Sequence, residues 1–279
     1  MKHVTTGEGA LLDLSFVRRA NRTVIDRRVF TWPFVLTRSF YIDQDRPDRL
    51  SVIVQTGSGA IHGEDSLAQR LMLGPGTAVC LTNQGATSVH RADPAARAME
   101  TVMLHVASGA RLEYVPEPRI LFPDAALCQS VELDCASDAC ALVVDAFTMH
   151  DPSGEARGFR ELETTFCLRR LGGEPVLIDR TRLCRPDLGI FRGHRAFGSA
   201  VVVLTSNHDL EKLLVLLTTA LGDVSGLYAA ASMLPGSAGL GVRLAALDLR
   251  QVRLAFEQIG AIYRRSLLGA VDVCRACPD

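Results

Sequence analysis

The hexapeptide Ile61-His62-Gly63-Glu64-Asp65-Ser66 sets an imidazole, two carboxylates and a hydroxyl beside one glycine. A fixed metal site needs at least three converging ligands. Neighbours on a strand point to opposite faces, so only Asp65 with one of His62 and Glu64 is expected to converge. A second cluster, His150, Asp151 and Ser153, has the residue types of a hydrolytic triad. Its Asp-Pro-Ser-Gly run reads first as a turn, and no GxSxG nucleophile elbow accompanies it. Cys274-Arg275-Ala276-Cys277 is the sole CxxC, with no second pair to complete a zinc site. From the residues alone, a stand-alone metal-binding protein using His62, Glu64 and Asp65 and a hydrolase-like enzyme built around His150 both stay open, against the plainer reading of polar turns.

These groups must be held by strands. Between about residue 10 and 205 the hydropathy alternates with period two and turn signals recur every eight to twelve residues. Leu12, Leu14 and Phe16 alternate with Asp13 and Ser15, and Val102, Leu104 and Val106 alternate with Thr101, Met103 and His105. The pattern predicts a many-stranded, mostly antiparallel body in which each strand buries one face. Further strands are expected at 50–55, 111–115, 131–135, 140–148, 163–169, 176–178 and 200–205. Two helices should follow. The first is expected to be capped by Asn207 and to carry Leu210, Leu213, Leu214, Leu217 and Leu221 inward; the second starts at Asp248, with Gln251 as its capping-box partner. The small-residue stretch from Ala229 to Gly241 reads as irregular.

The chain has 279 residues, 48% of them hydrophobic and 22% charged, with a formal net charge of -1. A balance so close to neutral lacks the basic footprint of nucleic-acid binders and anionic-membrane binders. No apolar run approaches the length of a membrane span, and no apolar segment follows Lys2, so the expectation is a cytoplasmic protein. No GxGxxG or GxxxxGK[ST] follows a strand, which excludes the usual phosphate-cradling routes. The cysteines sit mostly inside apolar runs, as reduced core cysteines do.

Three runs taken in order carry a family resemblance: residues 59–67 (GAIHGEDSL), 82–91 (TNQGATSVHR) and 109–120 (GARLEYVPEPRI). Together with Leu177-Ile178-Asp179-Arg180-Thr181-Arg182-Leu183 and Gly239-Leu240-Gly241-Val242-Arg243-Leu244, the chain resembles the urease accessory protein UreD (UreH) family across nearly its whole length. Gly63, Gly85, Arg91, Glu113 and Arg180 fall on motif positions. Glu64 replaces a motif glycine, Ser88 a lysine, His90 a tyrosine and Tyr114 a tryptophan.

The resemblance implies a single UreD-like domain over residues 1–279, with a β-rich body (1–205) and a helical, irregular C-terminal part (206–279). The implied fold is mainly β, a β-helix-like stack of strands with two α-helices in a C-terminal layer. It also implies a non-enzymatic scaffold that joins UreF-type and UreG-type accessory proteins to the urease apoprotein and passes nickel through an internal tunnel, with no tightly bound metal or cofactor. The tunnel positions carry over to Asp65, Thr87, Asp145 and Asp179, the last one methylene shorter than the family's glutamate. Carboxylates suit transit, because imidazole and thiolate hold nickel more tightly than a conduit can use.

Overall fold

In a computed structural model that describes residues 9–186, 191 and 193–268, the alternating segments become strands and the two leucine-rich segments become helices. In chain order the strands are β1 (Ala10–Arg19), β2 (Arg22–Phe30), β3 (Phe34–Leu36), β4 (Leu50–Thr56), β5 (Ala60–Ile61), β6 (Ser66–Leu73), β7 (Ala78–Asn83), β8 (Thr87–Val89) and β9 (Ala98–Val106). They continue as β10 (Arg111–Val115), β11 (Arg119–Leu121), β12 (Ala126–Cys135), β13 (Cys140–Met149), β14 (Glu161–Arg170), β15 (Pro175–Cys184) and β16 (Ala196–Val203). Helix α1 (Leu210–Gly222), β17 (Leu227–Met233), β18 (Gly239–Ala246) and helix α2 (Leu249–Leu267) complete the order.

The strands form two facing sheets. One runs β15-β14-β12-β9-β6-β1-β2; the other runs β17-β18-β16-β13-β10-β7-β4-β3, with β5, β8 and β11 alongside. The chain winds as a coil, each middle turn laying one strand on the first sheet and one longer and one short strand on the second. Leu50, Val79, Leu112 and Ala141 are therefore successive register partners on β4, β7, β10 and β13, while Leu67, Glu100 and Gln129 are successive register partners on β6, β9 and β12. This winding makes ten of the sixteen ladders among the described residues parallel. The mostly antiparallel expectation is corrected on this point. The recurrent turn signals mark corners of a coil, and only the ends of the stack fold back as antiparallel pairs.

Two apolar layers result. Between the sheets lie Leu14, Phe16, Leu71, Leu104, Leu112, Tyr114 and Leu133, all essentially solvent-free. On the outer face of the second sheet, Leu142, Val144, Val202, Leu240 and Val242 pack against α1 and α2. Helix α2 buries Val252, Ala255, Phe256, Ile259, Ile262 and Tyr263 there, and fully burying side chains of the larger kind stabilises by about 1.5–3 kcal/mol each. The Tyr263 hydroxyl donates to the Leu112 carbonyl at 3.2 Å, and Arg264 and Arg49 both grip the buried Glu113 carboxylate.

The Asp248 and Gln251 capping box forms as expected. The cap of α1 is Asp209, whose carboxylate accepts from the Lys212 N–H at 3.0 Å; Asn207 instead accepts from the Thr205 hydroxyl. The stretch expected to be irregular holds most of β17 and the start of β18, which extend the second sheet. The alanines and serine of β17 carry little strand propensity, and pairing with β18, itself laid on β16, decides their conformation.

Candidate functional site

Inward positions of both sheets are apolar with few exceptions, and the exceptions lie together. The first sheet contributes Gln69 on β6, Glu100 on β9 and Gln129 on β12, each 5% exposed or less. Glu100 and Gln129 are direct register partners, and Leu67 opposite Glu100 puts Gln69 one diagonal step away. The second sheet contributes Thr87 on β8 and Arg119 on β11, again register partners, together with Asp145 on β13. Arg119 pairs with Phe147, so Asp145, two positions earlier on the same face, is its diagonal neighbour.

Across the interior these rows join. Gln69 Nε2 donates to Glu100 Oε1 at 3.2 Å, and the Arg119 guanidinium donates to Glu100 Oε2 through Nε at 3.2 Å and Nη2 at 2.5 Å. Gln129 Nε2 donates to Asp145 Oδ1 at 3.4 Å. With strands about 4.8 Å apart, the seam from the turn bearing Gln69 to the turn bearing Asp145 crosses three steps, or about 14 Å of the stack.

Burial sets the charge states. It raises the Asp145 carboxyl above the usual carboxylate range; Arg119 opposes that shift, Glu100 reinforces it and the Gln129 hydrogen bond opposes it. Burial would lower the Arg119 pKa, but the negative charges of Glu100 and Asp145 more than offset it and hold the guanidinium charged. Burial likewise raises the nearby Tyr114 hydroxyl, keeping it neutral.

The seam opens toward one flank. Asp145, Ser199 and Arg243 lie side by side on β13, β16 and β18. Arg243 reaches across to the Asp179 carboxylate on β15, which joins the two sheets at the rim. Between them is a cleft of about 40 Å³ in which Gln129, Asp145, Thr164, Asp179, Ser199 and Arg243 stand among apolar neighbours such as Val131, Val143, Phe166 and Val201. That volume and that lining suit one or a few waters.

Of the four tunnel positions carried over from the sequence, the fold thus sets Thr87, Asp145 and Asp179 along one seam. Asp65 lies apart, at a coil corner, where its carboxylate accepts the His62 N–H at 2.8 Å and its own N–H donates to the His62 carbonyl. Among the motif positions, Gly63 is fixed by close approach: a Cβ there would come within 2.4 Å of the Ala92 backbone. A Cβ at Gly85 would meet nothing. Arg91 and Arg180 are exposed, and Glu113 faces the helices as an anchor for α2.

The two residue clusters read from the sequence take other roles. His62 stacks on His90 with ring centroids 5.2 Å apart, His90 meets Phe122 at a tilt of 31° and 5.0 Å, and Phe122 meets His150 edge-on at 5.3 Å. One aromatic ring per coil turn thus forms a ladder at a corner. The Ser153 hydroxyl donates to Asp151 at 2.7 Å within its turn, and His150 stands in the ladder. The turn's N–H of Arg157 and the Ser153 hydroxyl lower the Asp151 pKa to about 2. Among the described residues no three His, Cys, Asp or Glu side chains gather as metal ligands, and no helix is long and apolar enough to cross a membrane. Cys274 and Cys277 lie outside the described residues.

Sequence reading missed Gln69, Glu100, Arg119 and Gln129. Strand parity could have found Glu100: extending Val106, Leu104 and Val102 backward by twos places it inside. No comparable rule finds Arg119, because β11 is only three residues long.

Comparison with known proteins adds to this geometry. A family model described as UreD urease accessory protein matches residues 8–277. The chain is 62% identical over 259 residues to urease accessory protein UreD 2 of Bradyrhizobium sp. strain BTAi1, covering 93% of this chain and 91% of that one. It is 31% identical to UreD 1 of the same strain, covering 94% and 92%, and 33% identical to urease accessory protein UreD of Mycolicibacterium smegmatis, covering 91% and 90%. The coil of strands, its ordered motifs and a match over nearly the full length lead to one statement: this chain belongs to the UreD urease accessory protein family.

Proposed function

We propose that this protein is a urease maturation factor, a non-enzymatic scaffold that joins UreF-type and UreG-type accessory proteins to the urease apoprotein and hands nickel toward its active site along the buried seam. Family membership supports the urease assignment. The observation that carries the nickel reading is the run of Gln69, Glu100, Arg119, Gln129 and Asp145 through an interior that is otherwise apolar. Burying so many polar groups is costly unless they are solvated or paired, and a hydrated route for a cation gives them a use. Oxygen donors fit such a route, since nickel leaves carboxylate and amide oxygens more readily than imidazole or thiolate. Thr87, Asp145 and Asp179 are assigned to the passage; Asp65 is assigned to the corner it caps.

The test is co-expression of urease with its accessory proteins, with and without this chain. Nickel content of purified urease should fall several-fold without it, and equal content would overturn the assignment. Pull-down of the UreF-type and UreG-type proteins by this chain tests the scaffold separately.

A further inference from the structure

We propose that Arg119 is a resident counter-cation that keeps Glu100 and Asp145 from closing on a divalent metal ion, so that the seam passes nickel instead of holding it. The proposal rests on the reading of the seam as a nickel passage.

Three features support it. Arg119 lies beside two carboxylates of the seam: it donates twice to Glu100, and it is the diagonal neighbour of Asp145. Arg119, Glu100, Gln69 and Gln129 are buried and Asp145 is half-buried beside them, so water screens these charges poorly. With both carboxylates ionised, the three side chains sum to one negative charge, and a divalent ion leaves an excess positive charge that drives it onward. Without the guanidinium the same site carries two negative charges, matched to one divalent ion, with the side-chain amides of Gln69 and Gln129 donating to the two carboxylates. Arginine is the residue for this task because it does not lose its proton at any working pH. A fixed guanidinium acts as an electrostatic barrier to cations in other pores for the same reason.

A merely structural ion pair would have no bearing on metal retention, and that difference is measurable. The full chain and its Arg119→Gln, Arg119→Lys and Arg119→Gln/Glu100→Gln variants are incubated with Ni²⁺, desalted, and analysed for nickel per chain. The expected result is near-zero retention in the parent, in Arg119→Lys and in the double variant, and about one ion per chain in Arg119→Gln. A folded Arg119→Gln protein that holds no more nickel than the parent overturns the proposal, and so does retention undiminished in the double variant. If Arg119→Gln does not fold alone, refolding with Ni²⁺ becomes the readout: recovery of soluble protein with nickel but not with Mg²⁺ supports the proposal, and no recovery overturns it. The passage itself is tested apart from this by Asp145→Asn. Unchanged nickel in urease co-expressed with that variant removes the passage, whereas the retention assay reads the role of Arg119 on the isolated chain.

Discussion

Arg119 and Glu100 meet in the interior between the two sheets, 3% and 4% exposed, with two guanidinium nitrogens on one carboxylate oxygen. A buried ion pair contributes little net stability over a well-packed apolar pair, but losing one partner leaves an uncompensated charge in a dry interior.

Glu100→Gln should therefore destabilise the protein by about 3–5 kcal/mol, because Arg119 would remain charged and unpaired. At about 2–4 °C per kcal/mol for a chain of this size, the melting temperature should drop by roughly 6–20 °C. The double variant Glu100→Gln/Arg119→Met should recover most of that loss. Thermal unfolding of the parent, both single variants and the double variant reads these values, and additive losses would contradict the pairing.

Asp145 gives a pH dependence whose sign follows from its raised carboxyl. The folded state holds this proton more tightly than the unfolded chain, whose aspartates titrate near about 3.9. Its contribution is thus fully present below that value and is lost as pH rises through the raised folded pKa. Asp145→Asn removes the effect. Melting curves from about pH 4 to pH 8 should show the variant at least as stable as the parent at neutral pH. The gap should close as pH falls, and a variant less stable at neutral pH than at acid pH, relative to the parent, would oppose the assignment.

The Asp179 and Arg243 pair closes the seam at a half-exposed rim, so its effect on stability is small. Asp179→Ala should change the unfolding free energy by about 1 kcal/mol or less. Nickel delivered to urease should nonetheless fall, with the accessory complex still assembling in pull-downs. Normal nickel content would take Asp179 out of the passage.

Asp65 separates local structure from transit. Asp65→Ala removes the acceptor of the His62 N–H at an exposed corner that water reaches, and should cost about 0.5–1.5 kcal/mol. Asp65→Asn keeps an oxygen there and should preserve both the melting temperature and nickel loading of urease. Loss of loading in Asp65→Asn at unchanged melting temperature would return Asp65 to the passage.

Most strands and both helices were legible along the chain, because period-two and helical patterns are local. Leu12, Leu14 and Phe16 do point inward, and Asp248 does begin a helix with Gln251 in its capping box. Its ordered motifs also pointed to the UreD family, and that resemblance named Asp65, Thr87, Asp145 and Asp179, of which the fold sets Asp65 apart at a coil corner. Alternation reports which face of a strand is buried but not which strand lies beside it, so the coil and its parallel ladders were decided only by tertiary winding. The pairing of β17 and β18 was decided in the same way, since alanine-rich strands take their conformation from a neighbour. Only that winding brings Glu100, Arg119 and Asp145 from three successive turns to one buried place, where low dielectric makes each charge govern the next.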